Sequence, residues 1–212
     1  MNKASKKSAR CLALAALAAT FPVSAYVVNI TAADPTMIYL RVGDGSMSGG
    51  TYNSGGTPAA NSTVNLVSVS VPSNIVGNGT AQAMNATGRL TSDLDGFAFC
   101  NANQIYIGGF YRRTGTTGAN NASLTVVAPT TLTSGPRSIP MSQISWISSG
   151  NGDAVGNQPI PSGTFTGGSQ TLVSNFARNT WRESCLAFSY ANQNLYASGT
   201  YTATVTYTLA AL

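Results

Sequence analysis

The sequence has no histidine, a single glutamate and very little charge of either sign. Charged residues make up 8% of the 212 positions, and there are three cysteines. Without histidine, neither a Ser-His-Asp nor a Cys-His catalytic arrangement can be built. A metal site would also lack its usual nitrogen ligand and have few sulfur ligands. The composition therefore predicts a protein that is not an enzyme and uses no cofactor or metal.

Helical periodicity is also missing. Beyond residue 25, no segment keeps a 3.6-residue apolar period over about eleven positions. Short runs rich in Thr, Val, Tyr and Ile alternate instead with Gly, Pro, Asn and Ser, as in strands separated by turns. The predicted strands are 26–32, 37–42, 64–71, 97–100, 104–111, 123–128, 141–147, 170–176, 184–190 and 200–209.

The long Gly/Ser/Thr/Asn-rich stretch at 43–62 is predicted to be a surface loop. About ten short strands in one domain favour an all-β fold, an antiparallel β-sandwich. The alternation of Ile105, Ile107 and Tyr111 against Tyr106 and Phe110 indicates a strand with two different faces.

The first 25 residues resemble a cleaved export signal. An apolar core at 11–21 is too short to span a bilayer, and it ends near the small-x-small pattern Val23-Ser24-Ala25. Four basic residues precede that core: Lys3, Lys6, Lys7 and Arg10. The sequence therefore predicts a signal peptide at 1–25 and an exported mature chain, a single domain at 26–212.

Removal of this leader changes the charge balance. Of the 11 basic residues, only seven remain, all arginine, against six acidic ones. The excess of positive charge thus belongs to the leader, and no electrostatic argument favours nucleic acid or an anionic membrane as partner. No membrane span is expected in the mature chain.

Two cysteines, Cys100 and Cys185, lie in the mature chain. In an oxidising compartment such a pair most simply forms one disulfide. Two free thiols or a metal site are the alternatives. Because both residues fall on predicted strands, a bridge between them is expected to join two strands.

Carboxylates are too few for much acid–base chemistry. Asp93 and Asp95 form the one closely spaced pair, and such a pair can serve a hydrolase or bind calcium. Asp and Gly are equally typical of a turn, which is the favoured interpretation of 92–96. Glu183, next to Arg182, is interpreted as half of a surface ion pair. A secreted hydrolase using Asp93, Asp95 or Glu183 is the weakest of the functional hypotheses.

Aromatic and cationic residues meet at the end of one predicted strand. Tyr111 and Arg112 could stack on a planar sugar or base. This motif supports an alternative function, a secreted monomeric binding module for carbohydrate or a similar ligand. The three remaining large aromatic residues of interest are interpreted as core or rim residues: Trp146, Trp181 and Tyr190.

The C-terminal segment 200–209 alternates without interruption. Its odd positions carry Tyr201, Ala203, Val205, Tyr207 and Leu209, and every even position carries threonine. Successive side chains of a strand point to opposite faces. This segment is therefore predicted to be a long strand with one apolar face and one hydroxyl face.

Gly199, the fourteenth residue from the C-terminus, opens this alternating segment. The combination resembles the C-terminal signature of chaperone–usher pilus (fimbrial) subunits. The resemblance implies an incomplete immunoglobulin-like sandwich that a strand from another protein completes. It also implies a periplasmic chaperone, an outer-membrane usher and neighbouring pilus subunits as partners.

The resemblance assigns roles to individual residues. Contact with the chaperone and with the complementing strand would involve Gly199, Tyr201, Val205, Tyr207 and Leu209. The candidate donor strand at 26–34 would present Val28, Ile30 and Ala32. Ala211 stands where the family usually has an aromatic residue, and both cysteines lie late in the chain, so a divergent member is expected. The leading hypothesis is an exported structural or adhesive protein of a cell-surface fimbrium.

Overall fold

The computed structural model describes residues 36–43, 47–51, 55–58, 65–113 and 120–212. Within these ranges the chain forms fifteen strands and one 3₁₀ turn at Met141–Gln143. The strands are β1 Thr36–Val42, β2 Met47–Thr51, β3 Gly55–Pro58, β4 Val67–Ser68, β5 Gln82–Ala83, β6 Asn85–Ala86, β7 Gln104–Arg113, β8 Asn121–Ala128, β9 Thr131–Ser134, β10 Arg137–Pro140, β11 Ile144–Ser149, β12 Gly163–Thr164, β13 Gly168–Ala177, β14 Thr180–Tyr190 and β15 Thr206–Ala211.

Two antiparallel sheets form the body of the fold. The large sheet has the order β1-β7-β14-β11-β12, with β5 also paired to one end of β14. The small sheet has the order β13-β8-β15. Three two-stranded ladders accompany them: β2 with β3, β9 with β10, and β4 with β6.

The inner faces of both sheets contribute to one hydrophobic core. Ile107 and Leu186 of the large sheet and Leu124, Val126 and Phe176 of the small sheet are each no more than 2% exposed. Because side chains alternate along a strand, each sheet turns one apolar face inward. The all-β, antiparallel prediction is confirmed, and the arrangement is consistent with a β-sandwich.

Five predicted strands are confirmed with bounds that differ by a few residues: β1, β7, β8, β13 and β14. The predicted alternation in β7 is also correct. Ile105, Ile107 and Tyr111 enter the main core, whereas Tyr106 packs in a separate cluster with Phe99, Cys100 and Cys185.

Other strand predictions are wrong in extent. The predicted loop at 43–62 contains the β2–β3 hairpin, and only Val67–Ser68 of the predicted strand 64–71 is a strand. The segment 97–100 makes one isolated bridge, between Ala98 and Thr91, and 141–147 begins as the 3₁₀ turn. The predicted signal peptide at 1–25 and the candidate donor segment at 26–34 lie outside the described residues.

Candidate strand-docking edge

The C-terminal strand β15 is the outermost strand of the small sheet. It pairs with β8 in unbroken register, from Thr206 opposite Val127 to Ala211 opposite Ala122. Among the described residues, no strand pairs with its other side. In the part of the chain that the structure describes, β15 therefore presents a free edge, and the order β13-β8-β15 could accept a further strand there.

The ladder shows which backbone groups face this edge. The Leu212 amide donates to the Asn121 carbonyl at 3.1 Å, one step beyond the last pair of the strand. Backbone groups in an antiparallel ladder alternate in direction, so the even-numbered residues of β15 point toward β8. The N–H and C=O groups of Tyr207, Leu209 and Ala211 point to the free edge.

The free edge lacks the usual protection against strand addition. Natural edge strands are blunted by charged side chains, proline or bulges. Residues 200–212 contain no charged residue, proline or glycine, and the β15–β8 register has no irregularity. Neither the side chains of β15 nor its pairing with β8 opposes the addition of a further strand.

Burial along the tail follows the predicted period of two. Leu209 is 7% exposed and belongs to the main core, while Tyr201, Val205 and Tyr207 are half-buried against it. Burial raises the pKa of the Tyr207 hydroxyl. The threonines at even positions are exposed, and Ala203, which the alternation places on the apolar face, is also exposed.

The predicted strand 200–209 is correct only in its second half. β15 begins at Thr206 and continues to Ala211. The first half makes one bridge, between Thr202 and Thr133 of β9, with backbone hydrogen bonds of 3.0 Å in both directions. The tail contacts two different elements in succession, so a single straight strand does not form.

Gly199 precedes this tail and is exposed. A Cβ at this position would lie 2.7 Å from the Ser134 Oγ, so the Ser134 hydroxyl would have to rotate to admit a side chain. Nearby, the Tyr201 hydroxyl donates to the Ala197 carbonyl at 2.7 Å. These contacts fix the path by which the chain enters the tail.

β1, one of the two edge strands of the large sheet as far as the structure describes it, lies next to β15. Gly109 of β7, which pairs with Leu40 of β1, faces the small sheet: a Cβ there would be 3.4 Å from Leu209 Cδ2 and 3.2 Å from Phe176 Cζ. Two edge strands therefore flank one seam at this side of the molecule. The segment carrying Val28, Ile30 and Ala32, predicted to donate a strand, lies outside the described residues.

The outer face of the large sheet is crossed by residues 89–100, which we call the strap. Cys100 and Cys185 form the predicted disulfide, with 85 positions between them in sequence. Both cysteines are at most 4% exposed. Cys185 lies on β14, but Cys100 lies between strands, so the bridge joins the strap to the sheet and does not join two strands.

Asp93 anchors the middle of the strap. Its Oδ2 accepts a hydrogen bond from Arg41 Nε at 2.8 Å, and its Oδ1 pairs with the Arg89 guanidinium at 3.2 Å. The Tyr39 hydroxyl also donates to Asp93. Burial is the main cause of a raised pKa at Tyr39, and the neighbouring Asp93 raises that pKa further.

Glu183 on β14 is the second anchor. Its Oε2 accepts hydrogen bonds from Ser92 Oγ at 2.7 Å, Tyr106 Oη at 2.6 Å and Trp181 Nε1 at 2.8 Å. The predicted ion pair between Glu183 and Arg182 is wrong because neighbouring residues of a strand point to opposite faces. Arg182 instead lies over the Phe176 ring at 5.7 Å.

The favoured turn interpretation of 92–96 is correct. Asp95 Oδ1 accepts the Phe97 amide at 2.9 Å, and Ser92 Oγ accepts the Leu94 amide at 3.1 Å. The structure thus uses all three candidate catalytic residues, Asp93, Asp95 and Glu183, in contacts that hold the strap. Sequence reasoning missed the strap because its partners are far apart in the chain.

The structure removes Tyr111 from the proposed carbohydrate-binding surface. Tyr111 is 0% exposed and lies in the main core, so it cannot stack on a ligand at the surface. Trp146 and Tyr190 are also core residues, as predicted. Trp181 packs half-buried against the cluster around the disulfide, which agrees with its predicted place at the rim of a core.

No protein-family model, curated protein or solved structure matches this chain. In the part of the chain that the structure describes, no helix has the length and apolar character needed to cross a membrane.

Proposed function

We propose that this chain is an exported structural or adhesive subunit of a cell-surface fimbrium that assembles by β-strand complementation. The observation that carries the proposal is the free, unprotected edge of β15 beside β1. An added strand would pair with the backbone groups of Tyr207, Leu209 and Ala211, and it would cover the seam between the two sheets.

The disulfide supports export, because such bonds persist in oxidising compartments. The proposed route passes through the periplasm, where a chaperone would cover the β15 edge before an outer-membrane usher exchanges it for a neighbouring subunit. In this proposal the domain is an incomplete immunoglobulin-like sandwich. The residues facing the added strand are Gly199, Tyr201, Val205, Tyr207 and Leu209. Segment 26–34 of a neighbouring copy supplies the strand through Val28, Ile30 and Ala32.

Adding the donor segment as a peptide tests the proposal. A protein starting at residue 35 is mixed with a peptide of residues 26–34, and thermal unfolding is followed by circular dichroism. At a peptide concentration of about 100 Kd, binding to the folded state adds about 2.7 kcal/mol. We therefore expect the melting temperature to rise by about 5–10 °C.

Two controls make this test specific. A peptide with Ile30→Asp places a charge where an apolar side chain must be buried, so it is expected to produce no shift. Ala211→Pro in the protein removes an N–H that points to the free edge, so it is expected to prevent the shift without loss of the fold. Equal stabilisation by both peptides, or no stabilisation at saturating concentration, contradicts the proposal.

A further inference from the structure

The chain contains two Asn-Gly pairs, Asn78-Gly79 and Asn151-Gly152. In such a pair the glycine has no Cβ, so its amide nitrogen can approach the preceding asparagine side chain with little steric hindrance. The asparagine amide is then open to attack by that nitrogen. The structure places the two pairs in different environments.

At Asn78 the attacking nitrogen is already in use. The Gly79 amide donates to the Asn192 carbonyl at 2.9 Å. The Asn78 Oδ1 accepts the Thr80 amide at 2.9 Å and Asn192 Nδ2 at 3.0 Å. Asn192 is fully buried, so this arrangement holds both reacting groups of the pair in place.

At Asn151 the attacking nitrogen has no backbone acceptor among the described residues. A turn spans 150–153, with the Asp153 amide donating to the Gly150 carbonyl at 3.2 Å. Gly152 is exposed, has a φ of 89° and makes no backbone hydrogen bond through its amide within the described residues. The Asn151 Nδ2 still donates to the Ala98 carbonyl at 3.0 Å and to Asn101 Oδ1 at 3.3 Å.

We propose that Asn151 is a site of spontaneous deamidation and that Asn78 is protected from the same reaction. The Gly152 nitrogen loses its proton and bonds to Asn151 Cγ, the Cγ–Nδ2 bond breaks, and ammonia leaves with that proton. Water then opens the resulting five-membered imide at either carbonyl, which gives aspartate or isoaspartate. Solvent water is the sole co-reactant.

The reaction removes contacts that hold the end of the strap. A carboxylate at position 151 cannot donate to the Ala98 carbonyl, and the two oxygens would repel each other. The backbone amide of Asn151 also donates to the Phe99 carbonyl at 2.8 Å. An isoaspartate at position 151 would change the path of the backbone there and shift this N–H. Deamidation therefore loosens the strap next to Cys100.

Peptide mapping by mass spectrometry tests the proposal. The folded mature protein is incubated in mildly alkaline buffer, in parallel with a reduced and denatured sample. We expect the folded protein to deamidate at Asn151 at least several-fold faster than at Asn78, and the denatured chain to react at both sites at similar rates. Equal rates in the folded protein, faster reaction at Asn78, or no reaction at Asn151 overturns the proposal.

Two variants extend the test. Asn151→Gln keeps a side-chain amide but adds one methylene to the side chain that must form the imide ring. We therefore expect the deamidated product to disappear from the peptide that contains residue 151. Asn151→Asp reproduces one product directly. The Phe99 and Cys100 amides, which donate to the Leu90 carbonyl at 2.9 and 2.8 Å, are expected to exchange with deuterium faster in this variant. Unchanged exchange overturns the effect on the strap.

Discussion

Replacing Cys100 and Cys185 together with alanine is expected to lower the free energy of unfolding by on the order of 4–5 kcal/mol. The bridge closes a loop across a sequence separation of 85 residues. In the chain-entropy model, its loss gives the unfolded chain more conformations. For a domain of this size, the expected fall in melting temperature is about 10 °C or more.

The measurement is thermal and denaturant unfolding of the double variant beside the wild-type protein. Ser92→Ala provides a control, because it removes the hydrogen bonds of Ser92 Oγ to Glu183 and to the Leu94 amide and keeps the disulfide. That control is expected to cost about 2–3 kcal/mol. A double variant no less stable than the Ser92→Ala protein would mean that the strap contacts, and not the disulfide, hold this face together.

Leu209→Ala is expected to produce the second large effect, a loss of about 2–3 kcal/mol in unfolding free energy. Leu209 is the buried residue of β15 and lies next to Gly109 at the seam between the sheets. Its truncation removes apolar contacts and leaves a cavity. Denaturant unfolding measures the loss.

Thr208→Ala is the matched control for Leu209→Ala. Thr208 is exposed on the opposite face of the same strand, so its truncation is expected to change the unfolding free energy by no more than about 0.5 kcal/mol. Similar losses in the two variants would show that β15 does not bury one face against the core.

The central strands were predictable because the pattern that specifies them is local. Alternating apolar residues in β7, β8 and β14 bury one face of each strand, and a period of two is sufficient to identify them. The β9–β10 hairpin carries a weaker apolar pattern around a turn at Gly135, whose φ is 58°. Sequence reasoning therefore missed it.

The tail shows the limit of periodicity most clearly. The pattern at 200–209 correctly predicted which of its larger side chains pack on the core, but it contains no information about pairing partners. Thr202 pairs with β9, whereas Thr206 pairs with β8. The change of partner breaks one predicted strand into two pieces.

The strap depends on contacts between residues that are distant in sequence. Tyr39 and Asp93 are 54 positions apart, and Ser92 and Glu183 are 91 positions apart. The order of the strands in the sheet brings these residues together, and no short sequence motif marks them. The disulfide was predicted from the number of cysteines, while its attachment to a strap required the fold.

Hydrogen exchange along β15, resolved by residue with NMR in the isolated protein, tests most directly the central claim that β15 has a free edge. The claim predicts slow exchange at Thr208 and Ala210, whose amides point to β8, and fast exchange at Leu209 and Ala211. In the complex with the 26–34 peptide, all four amides are predicted to exchange slowly. Equally slow exchange at all four amides in the isolated protein would contradict the claim, because the edge would already be paired.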